Sequence, residues 1–324
     1  MAYSIVVEET GGPDALVRVD HDIPVPLPGQ VLLRQTAVGV NFIDVYFRSG
    51  LYPWNRPEKL IPGSEAAGIV EALGEDVSNF SVGDRVGYTV PNGGYTSHRT
   101  VEEAHLVPIP DDVPDTIAAA SLLKGLTVSY LLRDSYPVRS SSSVLFHAAA
   151  GGVGLMAGQW LKHLGVEAIG TAGGTQKCSI AARHGYANMI DYRSTEFVEA
   201  VMDVTNGQGV DVVYDSVGAD TYPGSLQCLK TFGTLVNFGQ SSGPALDFKL
   251  SDLAAGSFTV IRPILFHYTA RAGWLKTASS ELFGLIAKGE LEINVGQTFP
   301  MAEASEAHRM LEQRNTTGST VLIP

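Results

Sequence analysis

The sequence predicts a two-domain α/β protein, with a β-rich part first and a doubly wound parallel sheet after it. Three observations carry this. Residues up to about 110 read as short strands separated by Gly, Pro and Asp-Gly breakers. From Ser121 onward, helical stretches alternate with short apolar strands, the pattern of a parallel sheet covered on both faces. A chain of 324 residues also exceeds what one ordinary core holds.

The elements follow in order. Residues 31–38 alternate weakly between apolar and polar, and 66–73 form a second run of the same kind. In the later part, strands are expected at 143–147, 167–171, 188–191, 210–215 and 234–238, with helices of one apolar face at 155–164 and 176–184. A sixth strand at 257–261 completes the doubly wound sheet. Beyond Pro263, helices at 272–287 and 302–313 lead to a last strand at 319–323, expected to return to the first domain.

Composition narrows the function classes. A hydrophobic share of 44%, 35 glycines and 17 prolines fit a globular α/β protein with many tight turns. A formal net charge of -12 disfavours nucleic acid and anionic membranes as partners, and no basic patch offsets it. Cys178 and Cys228 lie far apart without CxxC spacing and read as free thiols of a reducing compartment. MAYSIVVEET lacks the basic and apolar regions of a signal peptide, and no apolar run reaches about eighteen residues, so a cytoplasmic protein without membrane insertion is expected. The eight histidines show no HExxH pattern, and no Gly-x-Ser-x-Gly occurs, which speaks against hydrolase chemistry; His147 reads as a satisfied core residue.

Two stretches carry chemistry. Residues 143–156 read strand, tight turn, helix, with Ala149-x-Gly151-x-x-Gly154 where a dinucleotide fold carries GxGxxG. Gly151 lets the backbone approach a pyrophosphate, Gly154 permits close helix-to-strand packing, and the helix presents its unpaired N–H groups. At the end of the second strand, where NAD enzymes place Asp or Glu on the ribose hydroxyls, the chain reads Thr171-Ala-Gly-Gly-Thr-Gln-Lys177. No acid stands in that stretch to repel a 2′-phosphate, and Lys177 is available to bind one, so the expected cofactor is NADPH. The other stretch is Pro62-Gly-Ser-Glu-Ala-Ala-Gly68, whose single carboxylate, Glu65, is a metal ligand, a catalytic group or a buried structural anion.

The runs Gly39-Val-Asn-Phe-Ile-Asp-Val-Tyr46, Arg48-Ser-Gly-Leu-Tyr52, Pro62 to Gly68, Gly83-Asp-Arg-Val86, Lys124-Gly-Leu-Thr127, His147 to Gly154 and Asp215-Ser-Val-Gly218 span essentially the whole chain. Together they resemble the NADPH-dependent quinone oxidoreductases, the zeta-crystallin-like, zinc-free branch of the medium-chain dehydrogenases. The resemblance implies a GroES-like catalytic domain from residues 1–123 and 264–324, a Rossmann NADPH-binding domain from 124–263, and an active site in the cleft between them. Zinc-dependent relatives carry a cysteine near the position of Asn41 and a histidine at that of Ser64. This sequence has neither, so Glu65 is expected to be a buried structural anion paired with an arginine or with backbone N–H groups.

The same resemblance assigns residues. Asn41 and Tyr46 are implied beside the nicotinamide, Tyr46 as a hydrogen-bond donor to the developing quinone oxyanion, and Tyr52 as a substrate contact. Their own sequence context also fits a turn residue and packing tyrosines. Thr127 and Tyr130 match cofactor-contacting positions. Gly152 and Val153 are implied at the pyrophosphate, Gly173 and Lys177 at the 2′-phosphate, and Tyr192 against the adenosine. Ser216 and the loop Phe238, Gly239, Gln240, Ser241 and Ser242 follow. Ile264, Leu265 and Phe266 come from the domain crossing and Arg314 from the terminal return. The segment 263–268 departs most from the family pattern. Implied partners are a small-molecule quinone and a second copy of the chain, joined in a homodimer at 257–261. Two other readings use the same cofactor: reduction of an activated double bond in an alkenal or enoyl compound, and NADPH binding without turnover.

Overall fold

The computed structural model describes residues 1–324 and contains two large sheets of different character, one mixed and one wholly parallel. Met1–Lys124, Ala272–Ala287 and Ile293–Pro324 make one compact unit, and Gly125–Arg271 with Lys288–Glu292 make the other.

The first unit begins with an antiparallel pair, β1 (Ala2–Val7) and β2 (Leu16–His21). Then come β3 (Gln30–Val40), α1 (Phe42–Arg48), β4 (Glu65–Leu73), β5 (Arg85–Thr89), β6 (His98–Glu102), β7 (Leu106–Pro108) and the first part of α2 (Asp115–Tyr130). The weak alternation of 31–38 has a physical reason: β3 is buried at nearly every residue. Its register against β4 shifts between Leu32 and Leu33 and between Gln35 and Ala37, and such bulges bend a strand so that both faces meet apolar partners. Val31, Leu33 and Val38 thus join Tyr88 and Tyr95 in one core. Helix α2 begins at Asp115, ahead of the helical pattern read from Ser121. Ala118, Ala119, Ala120, Leu122 and Leu126 are all buried, so the helix lacks the polar stripe that produces a 3.6-residue signal.

The second unit alternates β8 (Val144–Phe146), α3 (Gly152–His163), β9 (Ala168–Ala172), α4 (Thr175–Arg183), β10 (Asn188–Asp191), α5 (Phe197–Val204), β11 (Val210–Asp215), α6 (Tyr222–Gln227), β12 (Leu229–Asn237), β13 (Thr259–Ile261) and α7 (Leu265–Thr269). Its parallel strands lie in the order β10-β9-β8-β11-β12-β13. The chain therefore winds outward from β8 in one direction, returns, and winds outward from β11 in the other. That reversal leaves a crevice at the carboxyl ends of β8 and β11, where doubly wound sheets bind ligands. The sixth strand is confined to Thr259–Ile261 at the sheet edge.

The chain then returns to the first unit through α8 (Trp274–Ala287), β14 (Val295–Pro300), α9 (Ala304–Glu312) and β15 (Ser319–Ile323). β15 pairs antiparallel with the end of β3, Val321 opposite Gly39. Chain ends far apart in sequence are thereby stitched into one sheet.

A buried polar network ties α9 to α1. Arg48, almost wholly buried, makes two hydrogen bonds to Glu312, of 2.6 and 3.0 Å. His308 Nε2 lies 2.9 Å from Tyr95 Oη, which donates to Asp44 Oδ2 at 3.2 Å. Burial pushes the Asp44 carboxyl up to about 7, against hydrogen bonds from Asn41, Ser64 and Tyr95. Burial, helped by the Arg48 charge, pushes the His308 imidazolium down to about 3. A neutral His308 with its proton on Nε2 donates to Tyr95, in keeping with Nδ1 having no partner.

These two groups act on stability with opposite sign. The unfolded chain protonates His308 from its ordinary 6.5 downward while the folded chain does not, so this residue removes stability as pH falls from there to about 3. The folded chain keeps Asp44 protonated up to about 7, well above the ordinary 3.8, so this residue removes stability as pH rises across that interval. His308→Gln deletes only the first effect. Denaturant titrations between about pH 4 and 6 should show the slope of unfolding free energy against pH becoming less positive by about 1.4 kcal/mol per unit, and an unchanged slope would show that His308 is not held neutral by the fold.

Candidate active site

The turn from β8 into α3 is shaped by close backbone approach. Ala148 adopts a left-handed φ of 55°, uncommon for a residue with a side chain. Gly151 N–H closes the turn on Ala148 O at 2.9 Å, and Ala149 N–H reaches across to Thr171 O, also 2.9 Å. A Cβ on Gly154 would lie 2.4 Å from Ala148 O, so only glycine lets the helix start this close to the strand. Helix geometry leaves the N–H groups of Gly152 and Val153 without carbonyl partners inside α3, pointing off its positive end. Ala149, at the first glycine position of the motif, is fully buried. A Cβ on Gly170 of β9 would lie 2.8 Å from the Ala149 methyl, so the glycine has moved to the neighbouring strand and the alanine fills its space. The turn thus keeps the close strand-to-helix approach that the glycine spacing requires.

At the end of β9, Gly173 is buried, and a Cβ there would meet Tyr192 Oη at 2.6 Å and Arg193 Nε at 3.1 Å. Gly174, with φ of 97°, precedes α4, whose first turn carries Lys177. A carboxylate absent from the linear stretch 171–177 is present in space: Asp191, ending β10, accepts the N–H groups of Gly174 at 2.8 Å and Arg193 at 3.0 Å. These backbone hydrogen bonds hold the Asp191 carboxyl below its usual range, with the Arg193 charge assisting. The stretch 171–177 itself carries no acid; the one beside this loop comes from the next strand.

The loops after β11 and β12 are held by Asp215, fully buried at the end of β11. Its carboxylate accepts from Val217 N, Gly218 N, both ways from Thr221 Oγ1, and from Ser225 Oγ at 2.7 to 3.2 Å. His147 continues the network, with Nε2 3.1 Å from Ser225 Oγ and Nδ1 2.9 Å from Thr171 Oγ1; burial lowers its pKa, against the pull of Asp215. The histidine is a satisfied core residue. Ser216 O accepts from Ser241 N, and Val217 O from Ser242 N. A Cβ on Gly239 would lie 2.7 Å from Ser216 O, so Ser216 and the loop 238–242 form one backbone-to-backbone surface. The Phe238 ring packs 5.7 Å from that of Phe146. Tyr130 stacks on Tyr268 of α7 at 4.6 Å, nearly coplanar. Thr127 and Leu265 are buried, whereas Ile264 is about half exposed.

In the first unit, Glu65 is fully buried and every polar contact it makes is with a donor. Oε1 accepts Asn41 Nδ2 at 2.8 Å and Lys124 Nζ at 2.7 Å, and Oε2 accepts Leu123 N–H at 2.7 Å. The expected backbone partner is there, but the cation is a lysine, and Arg48 is spent on Glu312. A Cβ on Gly39 would sit 2.4 Å from Glu65 Oε1, so that glycine makes room for the anion. Ser64 donates to Asp44 Oδ1 and Pro91 O, while Asp44 Oδ2 accepts Asn41 N–H at 2.8 Å and fixes the start of α1. The two positions that carry zinc ligands in zinc-dependent relatives therefore hold an amide and a hydroxyl already engaged inside the protein. No three His, Cys, Asp or Glu side chains gather where they could hold a metal ion.

Tyr46 is buried on α1 and lies 5.2 Å, ring to ring, from Tyr52, whose N–H bonds Tyr46 O. Asn41, Tyr46 and Tyr52 are thus brought together by α1 and the turn after it. Arg314 follows α9 in a left-handed conformation. Sequence reasoning gave no role to Lys124, Asp44, Asp191, Arg193 or Asp215. Asp44, Lys124 and Asp215 stood in the quoted runs, but only three-dimensional placement shows what they neutralise or tie down.

Residues 27–111 match the alcohol dehydrogenase GroES-like domain family, and residues 184–322 match the zinc-binding dehydrogenase family. The chain is 47% identical to a quinone oxidoreductase of Pseudomonas aeruginosa over 327 residues, covering 100% of both. It is 40% identical to a 2-haloacrylate reductase of a Burkholderia species over 331 residues, 100% of this chain and 99% of that protein. The crystal structure of Escherichia coli quinone oxidoreductase complexed with NADPH superimposes with a TM-score of 0.97 at 43% identity, covering 99% of this chain and 100% of that one.

The Lys124–Glu65 pair yields a stability test. Glu65→Ala strands a buried ammonium and should cost about 3–5 kcal/mol of unfolding free energy, whereas Glu65→Leu combined with Lys124→Met should recover most of it. Chemical denaturation of the three proteins measures both; a double variant no better than the single one would show that the pair is not an isolated charge balance.

Proposed function

The chain belongs to the zinc-free quinone oxidoreductase family of the medium-chain dehydrogenases, and from that premise we propose that it passes reducing equivalents from NADPH to a quinone. One observation carries the proposal: the buried carboxylate Glu65 has the Lys124 ammonium as its counter-charge, with Asn41 and Ser64 engaged beside it. A site so arranged offers positioning and hydrogen bonding in place of a Lewis acid. An alcohol or unactivated ketone is not easily polarised without a Lewis acid; a quinone, already electron-poor, needs a donor ring held close and a partner for the oxygen that gains charge.

NADPH as the cofactor of the second unit is supported by the NADPH complex of the Escherichia coli relative and by the close turn between β8 and α3, where Gly154 leaves no room for a Cβ against Ala148 O. In this reading Gly152 and Val153 bind the pyrophosphate through backbone N–H groups, and Gly173 and Lys177 bind the 2′-phosphate. Tyr192 lies against the adenosine. Ser216 and residues 238–242 support the nicotinamide end, with Thr127, Tyr130, residues 264–266 and Arg314 as further contacts. NADPH, when bound, supplies the hydride. Asn41, held by Glu65 and by the Asp44 cap, keeps a fixed amide at the acceptor. Tyr46 donates its phenolic hydrogen bond to the quinone oxygen as charge develops there, and Tyr52 packs on the quinone ring.

A second reading rests on the 2-haloacrylate reductase relative: reduction of an activated double bond, which requires a proton donor as well as the hydride. The quinone reductase reading also includes a cytoplasmic homodimer formed through the open edge of β13. Phe232, bonded through its N–H to Gly256 near that edge, is largely exposed, and sedimentation finding only monomer would remove the dimer.

Steady-state NADPH oxidation with a panel of quinones and alkenals separates the readings. Quinones, phenanthrenequinone among them, should turn over with higher kcat/KM than any alkenal, and Tyr46→Phe should lower kcat for quinones by about 10- to 100-fold, the loss expected for one oxyanion donor. Faster turnover of alkenals would favour the second reading. Tight NADPH binding with no oxidation by any acceptor would leave a binding protein.

A further inference from the structure

The adenosine end of the cradle holds a cation, Arg193, to which the proposed function gives no contact with the cofactor. Arg193, in the turn after β10, lays its guanidinium across the Gly173–Gly174 pair. Its Nε is 3.1 Å from the position of a Cβ on Gly173, and its Nη1 is 3.6 Å from that on Gly174. Its backbone N–H is spent on Asp191, and its charge helps to hold the Asp191 carboxyl below its usual range. Beside it, Tyr192 Oη covers the remaining side of Gly173. The absence of side chains at 173 and 174 thus makes room for Tyr192 and Arg193 to close over the end of β9, where an adenosine ribose sits in this type of sheet.

The electrostatics of this corner give the cation a task. Asp191 is ionised, and its carboxylate bonds the Gly174 N–H at 2.8 Å. A phosphate dianion brought to the same loop would meet that charge. One lysine on the first turn of α4 would face both. The carboxylate cannot be dispensed with, because it fixes the backbone of the loop through two N–H groups. A second cation alongside reconciles a rigid loop with an anionic ligand.

We propose that Arg193 is a second cation of the 2′-phosphate site, acting with Lys177 to offset Asp191 and to select NADPH over NADH. The proposal rests on the assignment of NADPH as cofactor. Arg193 supplies planar paired donors for two phosphate oxygens, and Lys177 a point charge. The selectivity of the site then lies in the balance of two cations against one fixed anion rather than in the lysine alone.

Binding of NADPH, NADH, 2′-AMP and 5′-AMP to the full chain tests it, with wild type, Arg193→Ala and Arg193→Lys compared at low ionic strength. Arg193→Ala should raise Kd for NADPH and 2′-AMP by about tenfold, with NADH and 5′-AMP changed by less than about twofold. Arg193→Lys should restore part of the loss, and the wild-type advantage should shrink as salt is added. Equal weakening of all four ligands, or an unchanged preference for NADPH in Arg193→Ala, would overturn the role of Arg193 while leaving the cofactor assignment intact. Wild-type protein that binds NADH as tightly as NADPH would overturn the cofactor assignment and this inference with it.

Discussion

A carboxylate removed from water must find a counter-charge, and the partner it finds determines what the surrounding residues can do. Glu65 finds Lys124. A buried ion pair of this kind gives little net stability, because desolvation offsets the attraction, but losing one partner is costly. The pair therefore acts as a constraint. It fixes the start of β4, fastens α2 to the sheet through Leu123 N–H and Lys124 Nζ, and aligns the Asn41 amide. Gly39 and Asn41 are both drawn in by the same anion, one by yielding space and the other by donating a hydrogen. What a metal would do for the charge is done by an ammonium group of the chain itself.

The same economy recurs in the second unit. Asp215 ties the end of β11 and the following loop with four donors, and Asp191 ties the end of β9 to the turn after β10 with two. Each carboxylate sits at a strand's carboxyl end, where loops leave the sheet and ligands are bound. Loops fixed in this way cost little further ordering when a ligand arrives, which is where binding energy is otherwise spent. Asp191 also leaves a residual negative charge at the loop, which a nearby guanidinium can offset.

Much of the architecture is legible because its signals are local. Strands 188–191, 210–215 and 319–323 coincide with apolar runs bounded by breakers, and the glycine turn before α3 follows from its spacing. Helix α2 is read late because it is buried on all sides and has no stripe. The Ala149 departure from the glycine motif looks like a defect in one dimension, yet is compensated by Gly170 on a strand one unit along. Of the expected partners of Glu65, the backbone donor is present but the cation is a lysine rather than an arginine, and that lysine lies on a helix far along the chain. Asp191 is missed altogether. In each case the missing information is a pairing between residues distant in sequence, set by sheet order, and no periodicity records it. Asp44 and His308, linked through Tyr95 and perturbed chiefly by burial, are equally invisible until α9 is placed beside α1.

The central claim, that an ammonium takes the place of a cation from solution at Glu65, is open to direct measurement. Purified protein would be assayed for NADPH-dependent quinone reduction before and after exhaustive treatment with a zinc chelator, with metal content determined on the same samples. The account predicts turnover unchanged by chelation and no stoichiometric zinc; zinc at one equivalent per chain, with activity lost on its removal and regained on its return, would contradict it.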